Sequence, residues 1–316
     1  MTGLAFLFPG QGAQRPGMDA GLRHSDAGLL TAHLERAAAA SGLPLERLCA
    51  EGPAEALMRT EVAQPALFAV SLALADVARG IGLRPMAVAG HSLGEYTAAV
   101  AAGALTPEDG AWLVAERGRL MAGAQRQRPG AMAAILGLAP DIVEALCKRA
   151  ARSDVLAVAN FNAPTQTVVS GDETAVERLL GLVGELDAGR GVRLPVGAAF
   201  HSSLMRPIQT DLVQAVTALP WHDAEAPVAS NASGELVDTG SGVRDALMAQ
   251  IASPVRWVAC VQALLAHGCR HFLELGPGRV LTGLVRQIAP EADVASADSR
   301  EAIAAYVAKR PHLLTT

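Results

Sequence analysis

Residues 87–105 read AVAGHSLGEYTAAVAAGAL, and the two halves of this stretch have different textures. Met86–Ala89 is a short apolar run of the kind found in a buried strand. From Leu93 to Gly103 small and apolar residues continue at helical length. Between them lies Gly90-His91-Ser92-Leu93-Gly94, a G-x-S-x-G pattern. At a sharp strand-to-helix turn, a serine presents its Oγ at the carboxyl end of a sheet. Flanking glycines let neighbouring backbone come close, and the next amide points where an oxyanion would form. The positive end of the helix strengthens that field. The bland alternative is that Ser92 only caps the helix.

Working outward, the strand-then-helix alternation recurs. Leu4–Phe8 reads as a strand stopped by Pro9-Gly10. Ala27–Ala40 and Gln64–Arg79 have helical spacing. Pro107–Gln125 reads as a helix with proline at its start and Glu108 and Asp109 in its first turn. Such alternation predicts an α/β fold with a largely parallel sheet. Near Arg126–Gly130 the texture changes. Met132–Leu136 (strand), Pro140–Ala151 (helix), Val155–Ala159 and Thr167–Val169 (strands), Thr174–Val183 (helix) and Gly191–Leu194 (strand) give the order β-α-β-β-α-β, the ferredoxin-like pattern. After Pro195 the first texture returns: helix Ser203–Ala218, strand Ala226–Ser230, helices Val243–Ile251 and Val255–Ala266, strand His271–Leu275, helix Val280–Ile288. The expected organisation is a large α/β domain from residues 1–126 and 197–316, with a small inserted domain over 127–196.

Composition excludes several classes. Of 316 residues 51% are hydrophobic but only 3% aromatic, so the core is aliphatic and large. Lys and Arg total 26 against 31 Asp and Glu, a net charge of −5 that offers no nucleic-acid footprint. Cys49, Cys147, Cys260 and Cys269 show no CxxC spacing, which points to reduced thiols and to no metal site. No 18-residue apolar run is uninterrupted, and the N-terminal apolar run has no basic segment before it. A cytoplasmic protein with no membrane span is expected.

A serine nucleophile needs a base. His201, in VGAAFHSSLM, sits where a small-residue loop meets a new helix, the setting in which sheet-edge sites gather; a structural histidine is the alternative. Arg117 has Leu113, Leu120 and Met121 as its helical neighbours, so its face is apolar and its guanidinium needs an anion. A salt bridge or a substrate carboxylate would serve. FPGQGAQ, after the first strand, allows a tight loop around Gln11 that is either a second oxyanion donor or a plain turn.

Taken in order, FPGQG at 8–12, QPA at 64–66, GHSLGEY at 90–96, AFHS at 199–202, SPVRW at 253–257 and ELGPG at 274–278 resemble the malonyl-CoA:acyl-carrier-protein transacylases, including discrete acyltransferases that serve polyketide synthases. The resemblance implies an α/β-hydrolase-like large domain with a ferredoxin-like insert. It implies Ser92 as the acylated residue, His201 as its base and Gln250 as the residue whose backbone carbonyl orients that base in place of an acid. It makes Gln11 and Leu93 the oxyanion donors and Arg117 the partner of the malonyl carboxylate. Phe200 beside His201 resembles the malonyl-selective members. Met121, Asn162 and His91, the last expected to point away from the nucleophile, complete the expected substrate pocket. Arg190, Arg193 and Arg206 are position-based candidates for docking an acidic carrier protein. The implied reaction needs no cofactor, and a monomer is expected. A serine hydrolase or thioesterase, the transacylase component of malonate decarboxylase, and a non-catalytic carrier-docking module are the competing readings.

Overall fold

The structure, a computed structural model, describes residues 3–314. Among the described residues ten strands form two sheets: β1 (Gly3–Phe8), β2 (Ala87–Gly90), β3 (Ala131–Leu136), β4 (Leu156–Ala163), β5 (Gln166–Gly171), β6 (Arg190–Arg193), β7 (Val228–Ala229), β8 (Leu236–Val237), β9 (Cys269–Leu275) and β10 (Asp293–Ala297). The larger sheet has the order β10-β9-β1-β2-β7-β8. It is parallel except where β7 meets β8. All six residues of β1 are buried, which is why Leu4–Phe8 is an unbroken apolar run and not an alternating one. Phe8 of β1 stands beside Gly90 of β2. The loops carrying Gln11 and Ser92 therefore leave the same end of the sheet side by side, at the carboxyl ends of its strands.

The smaller sheet, β4-β5-β3-β6, is antiparallel at every pairing. Ala131, Ala133 and Ile135 of β3 point into a core shared with Val143 and Cys147 of the helix Pro140–Ala151 and Val176 and Leu179 of the helix Glu173–Gly184. Strand alternation sends the intervening Met132 to the other face, where it lines the cavity at Ser92. The small sheet is tied main chain to main chain to the segment that precedes the helix Trp257–Ala266. The Val255 amide donates to Ala159 (2.7 Å), and the Phe161 amide donates to Val255 (2.9 Å).

Several element bounds differ from the sequence reading. The helix expected at Gln64 begins at Thr60 and runs to Ile81, with Pro65 inside it. Among the described residues it is the one helix long and apolar enough to cross a membrane, with mean hydropathy 1.4, yet 89% of that window is buried in the protein. Its apolarity is that of a core element. The helix expected from Ser203 splits into a 3-10 turn, Ser203–Met205, and an α-helix, Arg206–Thr217. Pro207 lies in the first turn of the second piece, where its missing N–H costs nothing. Val255 is drawn out of the following helix, which starts at Trp257, by its bonds to the small sheet. The stretch after Ala289 forms β10 and the helix Arg300–Ala308. All four cysteines are buried and unpaired with one another.

Candidate active site

At the turn after β2, Ser92 has φ 52° and ψ −104°, a conformation costly for a residue with a side chain. The glycines explain how the turn closes. A Cβ on Gly90 would lie 1.8 Å from the backbone of Gly94, and one on Gly94 would lie 2.0 Å from the Phe8 carbonyl. Asn231, fully buried, staples the turn: its Oδ1 accepts the Ser92 amide (2.7 Å) and its Nδ2 donates to the Gly90 carbonyl (2.8 Å). Ser92 occupies the cap position of the helix Leu93–Ala101 but makes no capping bond. Its Oγ instead lies 2.7 Å from His201 Nε2 and accepts from Arg117 Nη2 at 3.0 Å. That geometry removes the plain-cap reading.

His201 is buried and also has a positive φ, 58°. Its Nδ1 faces two backbone carbonyls, Gln250 at 3.2 Å and Ser253 at 3.1 Å. Carbonyls only accept, so they fix the proton on Nδ1 and leave Nε2 as the acceptor facing Ser92. Burial, and then the charge of Arg117, push the imidazole down to about 3. The ring is therefore neutral at physiological pH, the form able to take a proton.

Arg117, 1% exposed, lies on the buried face of the helix Pro107–Gln127. Among the described residues no carboxylate forms an ion pair with it. Nη1 donates to Gln64 Oε1 (2.7 Å) and Nη2 to Gln250 Oε1 (3.0 Å) as well as to Ser92. Nε has no partner, and the guanidinium stands over the Tyr96 ring at 5.0 Å. A desolvated cation held by neutral groups, with a donor unspent, is a place for an anion.

The acyl transferase domain family matches residues 5–306. The malonyl CoA-acyl carrier protein transacylase of Escherichia coli (strain K12) is 38% identical over 306 residues, 96% of this chain and 99% of that protein. The chain belongs to the malonyl-CoA:acyl-carrier-protein transacylase family. The namesake enzyme of Bacillus subtilis (strain 168) is 38% identical over 91% of each chain. Among solved structures, the transacylase of Xanthomonas oryzae superposes with a TM-score of 0.93 at 40% identity, covering 98% of both chains. A malonyl-transacylase solved in complex with a type II PKS acyl-carrier protein superposes equally well, at 34% identity and with 98% of this chain and 100% of that one covered.

The transacylase-family motifs divide into those that reach the cavity and those that hold it. A cavity of about 110 Å³ is lined by Gln11, His91, Ser92, Leu93, Arg117, Met121, Phe200 and His201, with Met132, Asn160, Leu194 and Val196 supplied by or next to the small sheet. It adjoins a wider cleft of about 420 Å³ that shares Gln11 and Val196 and carries Arg59 and Arg126. Leu93 opens its helix, so its amide is one that a helix cannot pair internally. The amide of Ser92 is already taken by Asn231 and offers nothing to an oxyanion. His91 lines the cavity, but its Nε2 is bonded to Asn162 Oδ1 at 2.8 Å and its ring packs on Trp257. Asn162 thus stands behind His91. In ELGPG, the buried Glu274 accepts the Leu281 and Thr282 amides and caps the helix Val280–Ile288, a scaffold role. Arg190, Arg193 and Arg206 are exposed and outside the cavity, and Arg193 is engaged by Glu173 and Glu177.

Three buried residues escaped the sequence reading as site residues: Gln64, Glu95 and Asn231. Gln64 stood in the quoted QPA and Glu95 in GHSLGEY, so both were in view without a role. Asn231 had no local signal, since its partners Gly90 and Ser92 lie about 140 positions away.

Proposed function

We propose that the chain moves a malonyl group from malonyl-CoA to the phosphopantetheine thiol of an acyl carrier protein through an acyl-Ser92 intermediate, in fatty-acid or polyketide synthesis. The observation carrying this reading is Ser92 Oγ held between His201 Nε2 and Arg117 Nη2. His201 Nε2 takes the Ser92 proton as Oγ attacks the thioester carbonyl. The oxyanion rests on the amides of Leu93 and Gln11, the C–S bond breaks, and CoA leaves as a thiol with the proton from His201. The carrier thiol repeats the sequence in reverse order. His201 is oriented by the Gln250 carbonyl and also by that of Ser253. The malonyl carboxylate, one methylene from the reacting carbonyl, pairs with Arg117, and Phe200 and Met121 enclose the acyl group with His91, itself braced by Asn162. No cofactor is required.

The same reading divides the chain into a hydrolase-like domain, residues 1–126 and 197–316, and a ferredoxin-like insert, 127–196, with the acyl pocket between them. It makes the protein a cytoplasmic monomer that docks its acidic carrier through exposed arginines, among them Arg190 and Arg206. Hydrolysis is the main rival, and Arg117 disfavours it as a general esterase: a neutral acyl chain leaves that guanidinium buried and unpaired. The test uses labelled malonyl-CoA and then a phosphopantetheinylated carrier protein. Wild type should acquire one label and pass it to the carrier, and Ser92→Ala should acquire none. Release of free malonate without carrier labelling would establish a hydrolase instead.

A further inference from the structure

We propose that Glu95 is a positioning residue: it fixes which way round the Gln250 side-chain amide stands, and so presents Gln250 Oε1 to Arg117. This rests on the transacylase reading of Ser92, His201 and Arg117.

Glu95 lies in the first turn of the helix that begins at the nucleophile, yet it is fully buried. No step of the reaction uses it, and its Oε1 has no hydrogen-bond partner. A carboxyl group in such a place is costly to keep unless it does something there. Its other oxygen, Oε2, accepts from Gln250 Nε2 at 2.6 Å. The same Nε2 donates to the Ser92 carbonyl at 2.8 Å, and Gln250 Oε1 accepts from Arg117 Nη2 at 3.0 Å. Gln250 is itself 1% exposed, so no bulk water competes for its amide.

The two ends of a carboxamide have the same shape and opposite hydrogen-bonding sense. In the observed sense every contact is complementary. Turned by half a rotation, Nε2 would face the N–H of Arg117, while Oε1 would face the Glu95 oxygen and the Ser92 carbonyl. Burial pushes the Glu95 carboxyl up to about 7; in its ionised form it offers only acceptors, which makes that alternative unfavourable. Without it, the turn is opposed only by the Ser92 carbonyl and by the N–H of Arg117, a long side chain that can swing aside. Arg117 would then lose a fixed acceptor beside Ser92 and swing within its pocket, away from the position in which a malonyl carboxylate can be gripped by two N–H groups. The Gln250 backbone carbonyl, which orients His201, stays in place in either case. The effect should therefore fall on acyl selectivity and not on the base.

The experiment compares kcat/KM for malonyl-CoA and acetyl-CoA, with active sites counted by single-turnover acylation, in Glu95→Leu, Glu95→Gln, Gln250→Leu and the double Leu variant. Glu95→Leu fills the space without an acceptor. It should lower the malonyl-to-acetyl ratio by about tenfold or more, as expected for loss of a hydrogen bond to a charged group. Glu95→Gln retains an amide oxygen for Gln250 Nε2 and should restore the ratio. The double variant should have the ratio of Gln250→Leu alone, since the two residues act in series. An unchanged ratio in Glu95→Leu, or additive effects in the double variant, would overturn the proposal. If Glu95→Leu does not fold, Gln250→Leu decides, and an unchanged ratio there overturns it too. Failure of the wild-type protein to transfer malonyl groups at all would instead overturn the functional reading beneath it.

Discussion

Replacing Arg117 by alanine should separate substrates that wild type distinguishes. In the resting site the guanidinium is held by Gln64, Gln250 and the Ser92 hydroxyl, all uncharged. A malonyl carboxylate would supply the counter-charge missing from this set. Truncating one partner of a buried, hydrogen-bonded charge pair costs about 2–5 kcal/mol. At tenfold per 1.4 kcal/mol, malonyl kcat/KM should fall by roughly 30-fold to several thousand-fold. Acetyl-CoA has no carboxylate to lose, and two changes favour it. Ser92 Oγ no longer accepts a bond from a cation, and His201 is relieved of the Arg117 charge that, after burial, most lowers its basicity. Acetyl transfer should therefore hold or rise. Arg117→Lys should recover only part of the malonyl activity, because an ammonium lacks the planar fork. Exposing the Gln64 and Gln250 oxygens to a new cavity costs stability, about 1–3 kcal/mol for each group left unpaired. The assay is active-site-normalised acylation by both thioesters, with the melting temperature recorded alongside. Equal losses on malonyl and acetyl substrates, tracking the fall in melting temperature, would show Arg117 to be scaffold only.

Three further outcomes are expected. Asn231→Ala leaves the Ser92 amide and the Gly90 carbonyl without partners. It should destabilise the fold by about 2–4 kcal/mol and slow acylation by every thioester alike, and a kinetically normal variant would exclude the staple. Gly94→Ala sets a Cβ 2.0 Å from the Phe8 carbonyl, backbone that cannot retreat without breaking β1 from β2. Little or no folded protein should be recovered, and a wild-type circular dichroism melt would refute the close-packing argument. His201 is held well below the ordinary histidine value of 6.5, so its neutral form persists as pH falls through that value. The acid limb of single-turnover acylation should lie below pH 6.5 in wild type. In Arg117→Ala, with one lowering influence gone, the limb measured with acetyl-CoA should move upward. A wild-type limb at 6.5 would contradict the burial argument.

The sequence was most legible where a local rule had one solution. G-x-S-x-G between an apolar run and an Ala-rich one allows a single tight turn, and the apolar neighbours of Arg117 mark a buried cation whatever its purpose. The strands and helices of the small antiparallel sheet were legible because they are separated by clear breaks. What stayed hidden was long-range. Asn231 meets Ser92 across more than a hundred residues, and nothing in its own neighbourhood distinguishes it from a surface amide; Gln250, as distant, was named only through the family resemblance, and its side-chain bonds to Ser92 and Glu95 were not foreseen. Arg117 was expected to need an anion, from a salt bridge or a substrate carboxylate. Its resting partners are two buried amides and the nucleophile itself, a result of how three helices and the elbow pack together. Element ends shifted where a tertiary bond outbid local preference, as when Val255 left its helix to pair with the small sheet. The C-terminal strand was missed because Asp293–Ala297 is short and carries no apolar run.

The main-chain seam at Val255 has a consequence for how such a protein can change. Amide-to-carbonyl links are indifferent to side-chain identity, so the attachment of the small sheet to the segment around Val255 rests on backbone that most substitutions leave intact. Met132, Asn160 and Leu194 reach the cavity from the small-sheet side, while Ser92 and His201 are held by contacts that do not involve those three. One wall of the acyl chamber can therefore be remodelled while the reacting groups keep their coordinates. In this architecture the shape of that one wall is written apart from the reacting groups and can drift without them, whereas Arg117, bonded to Ser92 itself, cannot.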